Sequence, residues 1–117
     1  MANNQEIGFI TVRSEYNVLQ IPYENIMYIE SKKGFVTVHT SREKIICNTP
    51  LRLILYQLPV RLFIQTHMYC VVAISQIDAI EPSKITLINE EKIPLAKPYR
   101  QKVIDLMVKI GVIEKGF

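Results

Sequence analysis

A clear strand pattern runs through Ile26-Met27-Tyr28-Ile29-Glu30-Ser31-Lys32-Lys33-Gly34-Phe35-Val36-Thr37-Val38-His39-Thr40. Apolar and polar residues alternate with a period of two on both sides of Ser31-Lys32-Lys33-Gly34. This alternation is typical of two half-buried strands. Gly34 can take the positive φ that a tight turn requires. The stretch therefore predicts a β-hairpin that carries Lys32 and Lys33 on an exposed loop tip.

The same alternation predicts further short strands on both sides of this hairpin. Upstream, Ile7 to Arg13 and Tyr16 to Ile21 predict two strands joined at Ser14-Glu15. Downstream, we expect strands at Glu43 to Cys47, Phe63-Ile64, Cys70 to Ile74, Ile77 to Ile80, Ile85 to Ile88 and Ile93 to Leu95. Their separators are Gln65-Thr66-His67, Ser75-Gln76, Pro82-Ser83 and Asn89-Glu90-Glu91.

Two amphipathic helices interrupt this pattern of strands. The first is predicted to start at the N-cap residue Thr49 and at Pro50, the residue type favoured at the first helical position. Arg52 and Gln57 are expected to face away from its apolar stripe of Leu51, Ile54, Leu55 and Leu58.

Pro98 opens the second helix, and Gly111 is its predicted C-cap. Its apolar face consists of Val103, Leu106, Met107 and Ile110. We expect the tail from Val112 to Phe117 to be loosely held. The expected fold class is a mostly β, elongated antiparallel domain of about ten short strands with two short helices.

Length and composition define the broad class of protein. The 117 residues are 49% hydrophobic and 21% charged, with a formal net charge of +3. We expect one globular domain over residues 1–117 whose charge is compatible with a nucleic-acid partner. The start lacks the pattern of a signal peptide, and no apolar run approaches the ~20 residues of a spanning helix. A cytoplasmic protein without membrane contact follows, with Cys47 and Cys70 as buried, reduced thiols.

The chemistry of an enzyme is missing from the sequence. The two histidines, His39 and His67, do not adjoin a nucleophile motif, and with the two cysteines they lack the close spacing of metal ligands. Four glycines form no phosphate-binding loop, and Glu90-Glu91 indicates an exposed hairpin turn. We therefore expect a binding module rather than an enzyme, with no cofactor and no metal.

An ordered set of segments resembles the LytTR family of bacterial DNA-binding domains. The set covers residues 22–107 and comprises Tyr28 to Ser31, Gly34 to Thr40, Leu51 to Pro59, Phe63-Ile64, Thr66-His67, Ile77 to Glu81, Lys92 to Ala96 and Tyr99-Arg100. The resemblance implies an elongated all-β fold that lays loops into successive major grooves. It also implies sequence-specific promoter binding, often to direct repeats and with bending of the duplex, by the output half of a response regulator.

The resemblance further implies which residues contact DNA: Lys32, Lys33, Gln65, His67, Tyr69, Lys97 and Arg100. The two lysines suit phosphate contacts. His67 can donate to a phosphate or to guanine, or can instead hold its own turn by a hydrogen bond. Gln65 can read adenine or be an outward strand residue. Lys97 and Arg100 can converge with helix N–H groups on one anion, or belong to an ordinary charged surface.

Several positions depart from the family pattern. Met68 replaces the usual polar or basic residue, Tyr69-Cys70 the usual serine-aromatic pair, Ala73 the usual asparagine, and Pro98 a second arginine. These departures keep an alternative open: a protein-interaction or dimerisation domain of the same fold, with weakened or lost DNA binding. Its apolar surface would be formed by Met68, Tyr69 and Cys70. Possible partners beyond promoter DNA are a second copy on direct repeats and a receiver or sensor domain outside this chain.

Overall fold

The computed structural model of the chain describes residues 8–111. Within these residues lie ten strands and two helices, and the predicted mostly β fold class is confirmed. The domain measures 49 × 40 × 24 Å along its principal axes, so it is flat. The elements are β1 Phe9–Arg13, β2 Val18–Pro22, β3 Ile26–Lys32, β4 Phe35–Thr40, β5 Lys44–Cys47, α1 Leu51–Gln57, β6 Phe63–His67, β7 Cys70–Ala73, β8 Ile77–Ile80, β9 Lys84–Leu87, β10 Lys92–Pro94 and α2 Lys97–Lys109.

A five-stranded antiparallel sheet forms the middle of the domain. Its strand order is β5-β4-β3-β7-β6, and the predicted β3–β4 hairpin lies at its centre. Ile29 pairs with Val38 on β4 and with Val71 on β7. Because side chains alternate between the two faces of a strand, this register places the branched residues of three strands on one face. The sheet consequently separates two hydrophobic cores.

The first core lies between the central sheet and the N-terminal half of the chain. The β1–β2 hairpin and α1 cover Ile29, Val38 and Val71, with Ile10 and Ile54 fully buried between these layers. Burying a side chain of this size stabilises the fold by roughly 1.5–3 kcal/mol. The period-two pattern of β1 and the 3.6-residue stripe of α1 thus bury their apolar residues against the same face.

The second core lies on the opposite face. There the three-stranded antiparallel sheet β10-β9-β8 and helix α2 pack against Tyr28 and Val72. Ile85, Leu87 and Val103 are fully buried in this core. Helix α2 also lies beside the edge strand β6, which brings its N-terminus close to the end of the central sheet.

The predictions at the start and end of α1 are wrong in two respects. Pro50, not Thr49, holds the N-cap position, and no side chain caps the helix. The Thr49 hydroxyl instead accepts the backbone N–H of Arg13 at 2.8 Å. Gln57 does not face away, because its side chain bonds to the backbone of Thr11 on β1. Both side chains form hydrogen bonds with the distant strand β1, whereas rules based on sequence neighbours predict an N-cap for Thr49 and a solvent-facing position for Gln57.

The end of α2 agrees with the sequence in its cap but not in all of its apolar face. Gly111 directly follows the C-cap residue Ile110, has φ +79° and donates its N–H to the Val108 carbonyl, so it is the left-handed glycine that the prediction requires. Val103 and Met107 are buried, whereas Ile110 is half exposed because it already lies at the C-cap position. The predictions for Ile7 and for the tail from Val112 to Phe117 lie outside the described residues.

Both cysteines are buried and free, as expected. Burial raises the pKa of the Cys47 thiol, although a backbone hydrogen bond from Thr49 opposes this shift. Burial, and after it the nearby Glu30 carboxylate, raise the pKa of Cys70 to about 11. Both side chains therefore behave as small core residues rather than as reactive thiols.

Candidate nucleic-acid interface

The β3–β4 hairpin ends in a two-residue turn that exposes both predicted lysines. Lys33 has φ +52° and Gly34 has φ +85°, and Lys32 pairs with Phe35 across the turn. Positive φ at both central residues is the mark of a type I′ turn, whose twist matches that of the flanking strands. Lys32 and Lys33 are exposed, so the predicted position of these two charges at the tip is confirmed.

The β6–β7 hairpin is longer than its sequence indicates. Gln65, Thr66 and His67 are not a separator but the second half of β6, and the turn consists of Met68 and Tyr69 alone. The strand is irregular at this point, since the pairing steps from Gln65 directly to His67 and leaves Thr66 as an extra residue. A bulge of this kind bends the strand and changes the direction of the next side chain.

Two side chains of β6 brace this turn. The Gln65 amide donates from Nε2 to the Met68 carbonyl at 3.2 Å. His67 Nδ1 accepts the backbone N–H of Tyr69 at 3.1 Å. A neutral imidazole whose Nδ1 accepts carries its proton on Nε2. The turn-holding role of His67 is thus what the structure shows, and the same geometry leaves Nε2–H as a donor for another group.

Backbone hydrogen bonds join three segments at this end of the sheet. The Ser31 N–H donates to the Tyr69 carbonyl at 2.8 Å, which links the β3–β4 and β6–β7 tips. The Ala96 N–H donates to the Thr66 carbonyl at 2.9 Å, which links the start of α2 to β6. The structure therefore brings the two lysines, the β6–β7 tip and the exposed Lys97 to one end of the domain.

Arg100 is attached to a different part of this end. Its Nε–H donates to the Pro82 carbonyl in the β8–β9 turn at 3.1 Å, and its remaining guanidinium N–H groups are left for other partners. The expected gathering of helix N–H groups beside it is reduced, because Pro98 has no N–H and that of Tyr99 donates to the Ala96 carbonyl. The predicted anion site beside Lys97 and Arg100 therefore has fewer helix N–H donors than expected.

The apolar side chains at the tips are only partly those that the sequence indicates. Met68 and Tyr69 are exposed, and so is Phe35 on β4. Cys70 is buried in the second core, which contradicts its predicted place in an apolar surface. The reason is the pleat of the strand: Cys70 is the first residue of β7 and pairs with Glu30, so its side chain points into the second core.

A polar cluster behind the tips escaped the sequence-based prediction. His39 Nε2 lies 2.6 Å from Glu30 Oε2, and the rings of His39 and Tyr28 stack with their centroids 4.0 Å apart. The Tyr28 hydroxyl donates to Glu91 Oε2 at 2.8 Å. Burial and then the bonded Glu91 carboxylate raise the pKa of Tyr28 above its ordinary value. The one signal in the sequence was the hairpin register, which sets Tyr28 opposite His39.

The structure shows no constellation for other chemistry in the residues it describes. Over residues 8–111 no three His, Cys, Asp or Glu side chains are placed to hold a metal ion. A groove of about 550 Å³ between the end of α1, strand β6 and helix α2 is lined mostly by apolar side chains, and Gln65 borders it. None of the helices in this part of the chain is long and apolar enough to cross a membrane.

These observations define a class of protein: an antiparallel β domain that presents two braced hairpin tips and a helix start, with exposed cations, at one end. The family model described as the LytTr DNA-binding domain matches residues 16–107. The chain belongs to this family, which is a family of DNA-binding domains and not of enzymes.

A solved structure shares the fold. It is the LytTr DNA-binding domain of a Bacillus cereus protein described as a methyl-accepting/DNA response regulator. The two chains are 24% identical and superpose with a TM-score of 0.74 over 86% of this chain and 96% of that chain. A search of curated proteins found no match.

Proposed function

We propose that this chain is the sequence-specific DNA-binding domain of a bacterial transcriptional regulator and that it inserts its loops into successive major grooves. The observation that carries the proposal is the pair of hydrogen bonds from Ser31 to Tyr69 and from Ala96 to Thr66. These bonds hold three segments with exposed polar and basic side chains at one end of a rigid sheet. Family membership supports the same conclusion.

Three exposed lysines are proposed to contact phosphates, and Arg100 is treated separately because it is bonded to Pro82. Lys32 and Lys33 extend from a tight turn, so they can neutralise phosphates and set the register of the domain on the duplex. Lys97, at the start of α2, is exposed at the same end and adds a third phosphate contact. Arg100 is fixed by Pro82 along one edge of its guanidinium, which leaves the other edge for a phosphate or for guanine.

The β6–β7 tip supplies the groups that contact bases. His67 presents Nε2–H, because its Nδ1 is occupied by the Tyr69 N–H. Gln65 gives one amide N–H to Met68, so in this proposal it braces the tip, and its carbonyl oxygen and second N–H remain for a base. Tyr69 contributes an exposed ring and hydroxyl. Sequence-dependent DNA shape adds to this readout.

The experiment that tests the proposal is fluorescence anisotropy with random and promoter-derived duplexes across a salt series. We expect tighter binding to promoter sequence and an affinity that falls as salt rises, with log K changing by about −0.9 per phosphate neutralised for each unit of log salt. The double variant Lys32→Ala/Lys33→Ala should bind more weakly to all sequences and show a smaller salt slope.

A matched control is available at the other end of the same sheet. Arg42 and Lys44 lie at the β4–β5 turn, away from the β3–β4 tip, and are exposed. Arg42→Ala/Lys44→Ala removes the same charge and should leave affinity and salt slope near those of the unaltered chain. Equal losses in both double variants would show that only net charge matters and would contradict the proposed interface.

A second candidate function rests on the exposed Met68 and Tyr69. In it the same tip contacts protein, either a second copy of this chain on direct repeats or a receiver or sensor domain. This candidate predicts that Met68→Asp changes the molar mass measured by light scattering at high protein concentration. An unchanged monomer would remove self-association through this tip. For both candidates we place the protein in the bacterial cytoplasm, where promoters and regulators meet.

A further inference from the structure

The β6–β7 tip exposes apolar side chains, whereas the neighbouring β3–β4 tip exposes two lysines. Met68 is 61% exposed and Tyr69 52% exposed, the two residues of the turn itself. The hydrogen bond from Ser31 to Tyr69 places this turn beside the tip that carries Lys32 and Lys33. Exposed cations attract a polyanion to this end of the domain. The side chain of Met68 is therefore exposed beside the tip that carries the two lysines.

The turn that presents Met68 is fixed on both sides. The Met68 carbonyl accepts from the Gln65 side chain, and the Tyr69 N–H and carbonyl bond to His67 and Ser31. These contacts use backbone groups and the side chains of neighbours, so the Met68 side chain takes no part in holding the turn. A rigid backbone reduces the ordering cost when the exposed side chain enters a groove.

The chemistry of a thioether restricts what it can recognise. Methionine has no hydrogen-bond donor, so it cannot read the carbonyl or ring-nitrogen acceptors of the base edges, and its sulfur is only a weak acceptor for their amino groups. The one apolar group on those edges in the major groove is the C5-methyl of thymine. A flexible and polarisable side chain adapts well to such a contact.

We propose that Met68 is a specificity-determining residue that packs against the C5-methyl group of a thymine in the major groove. This inference rests on the proposed function, since it requires the β6–β7 tip to enter DNA. It assigns recognition at this tip to apolar contact, in addition to any hydrogen bond from His67. The surrounding cations, Lys32 and Lys33, favour DNA over an apolar protein surface as the partner of the tip.

The test replaces thymine by deoxyuridine, which lacks only the C5-methyl group. A duplex is first selected from a randomised library by the full chain, and each thymine is then replaced in turn. The selection tests the proposed function separately: if no sequence is enriched, that function and this inference are both overturned. With a selected duplex, we expect replacement at one or two positions to weaken binding about fourfold, the effect of one buried methyl group.

The substitution Met68→Ala should bind the thymine duplex about fourfold more weakly and lose the discrimination between thymine and deoxyuridine at those positions. Met68→Leu should retain it, because the side chain stays apolar and of similar size. Lys32→Ala should weaken binding to both duplexes equally. Comparing differences between variants removes any effect of deoxyuridine on the DNA alone.

Two results would overturn the inference while leaving DNA binding in place. One is a thymine-to-deoxyuridine effect that is the same in Met68→Ala as in the unaltered chain. The other is a Met68→Ala variant that keeps full affinity for the selected duplex but alters the molar mass in solution, which would identify the tip as a protein contact. Circular dichroism of each variant checks the fold, which should not change because the Met68 side chain is exposed.

Discussion

The side chain of Gln57, the last residue of α1, forms hydrogen bonds with both backbone polar groups of Thr11 on β1. Its Oε1 accepts the Thr11 N–H at 2.7 Å, and its Nε2 donates to the Thr11 carbonyl at 2.9 Å. The amide thus pairs with an edge strand in the way that a further strand would. It joins the β1–β2 hairpin to the helix that covers the same core, far along the chain from Thr11.

Gln57→Ala should lower the free energy of unfolding by about 1–3 kcal/mol, because both backbone groups of a partly buried residue lose their partner. Urea denaturation measures the change. Arg52→Ala, on the exposed side of the same helix, is the control and should change stability little. DNA affinity of folded Gln57→Ala should be unchanged, and equal stability of the two variants would contradict this role.

Gly34→Ala should lower the free energy of unfolding by about 1–2 kcal/mol, since the left-handed conformation is unfavourable for a residue with a Cβ. The cost is conformational and not a clash, because φ is +85° and no atom lies within 4 Å of an added Cβ. Gly34→Asn should lose less, as asparagine tolerates this region. Thermal melting compares the two, and equal losses would count against this account.

His67→Asn and His67→Gln separate the two roles of the ring. We expect the asparagine oxygen to accept the Tyr69 N–H in place of Nδ1 while the Nε2–H donor is lost. Stability should therefore hold within about 0.5 kcal/mol, and affinity for a selected duplex should fall about five- to tenfold, the value of one hydrogen bond. Compared with His67→Asn, His67→Gln should retain more of the DNA affinity but lose more of the stability that the turn provides. A His67→Asn variant with full affinity would exclude donation from Nε2 to DNA.

Alkaline pH should destabilise the fold in part through Cys70. Burial raises the pKa of Cys70 from 9.0 to about 11 in the folded chain, so the unfolded chain releases this proton first. The unfolding free energy should fall as pH rises from about 9 towards 11, with a slope of at most about 1.4 kcal/mol per pH unit from this group. Below pH 9 this contribution is fully present.

Cys70→Ala isolates that contribution, since Tyr28 and Cys47 also have raised pKa values and remain in the variant. Denaturant titrations of both proteins between pH 7 and 11 should show a shallower decline for Cys70→Ala. Parallel curves would mean that Cys70 is accessible to water in the folded chain.

Some features of the structure could be predicted from the sequence because they depend only on residues close by in the chain. Gly34 predicted a tight turn with positive φ, and Gly111 predicted the end of α2, whereas the positive φ of Lys33 and the pairing of Ser31 and Lys32 within β3 were not predicted. The strand prediction was wrong at Gln65, Thr66 and His67, because three polar residues in a row resemble a turn. They belong to β6 because Gln65 and His67 pair with β7 on either side of a bulge at Thr66. The roles of the seven predicted residues in binding DNA stay predictions.

The alternation that makes the strands, the two amphipathic helices and the basic tip can all be read from the sequence, since each depends on neighbours within a few residues. Long-range packing sets the hydrogen bonds between Ser31 and Tyr69 and between Ala96 and Thr66. It also makes Thr49 bond to β1 instead of capping α1, and Gln57 bond to β1 instead of facing solvent. A buried polar group bonds to whichever partner the packed strands bring within hydrogen-bonding distance. Local propensity carries no information about a partner that lies tens of residues away in the chain.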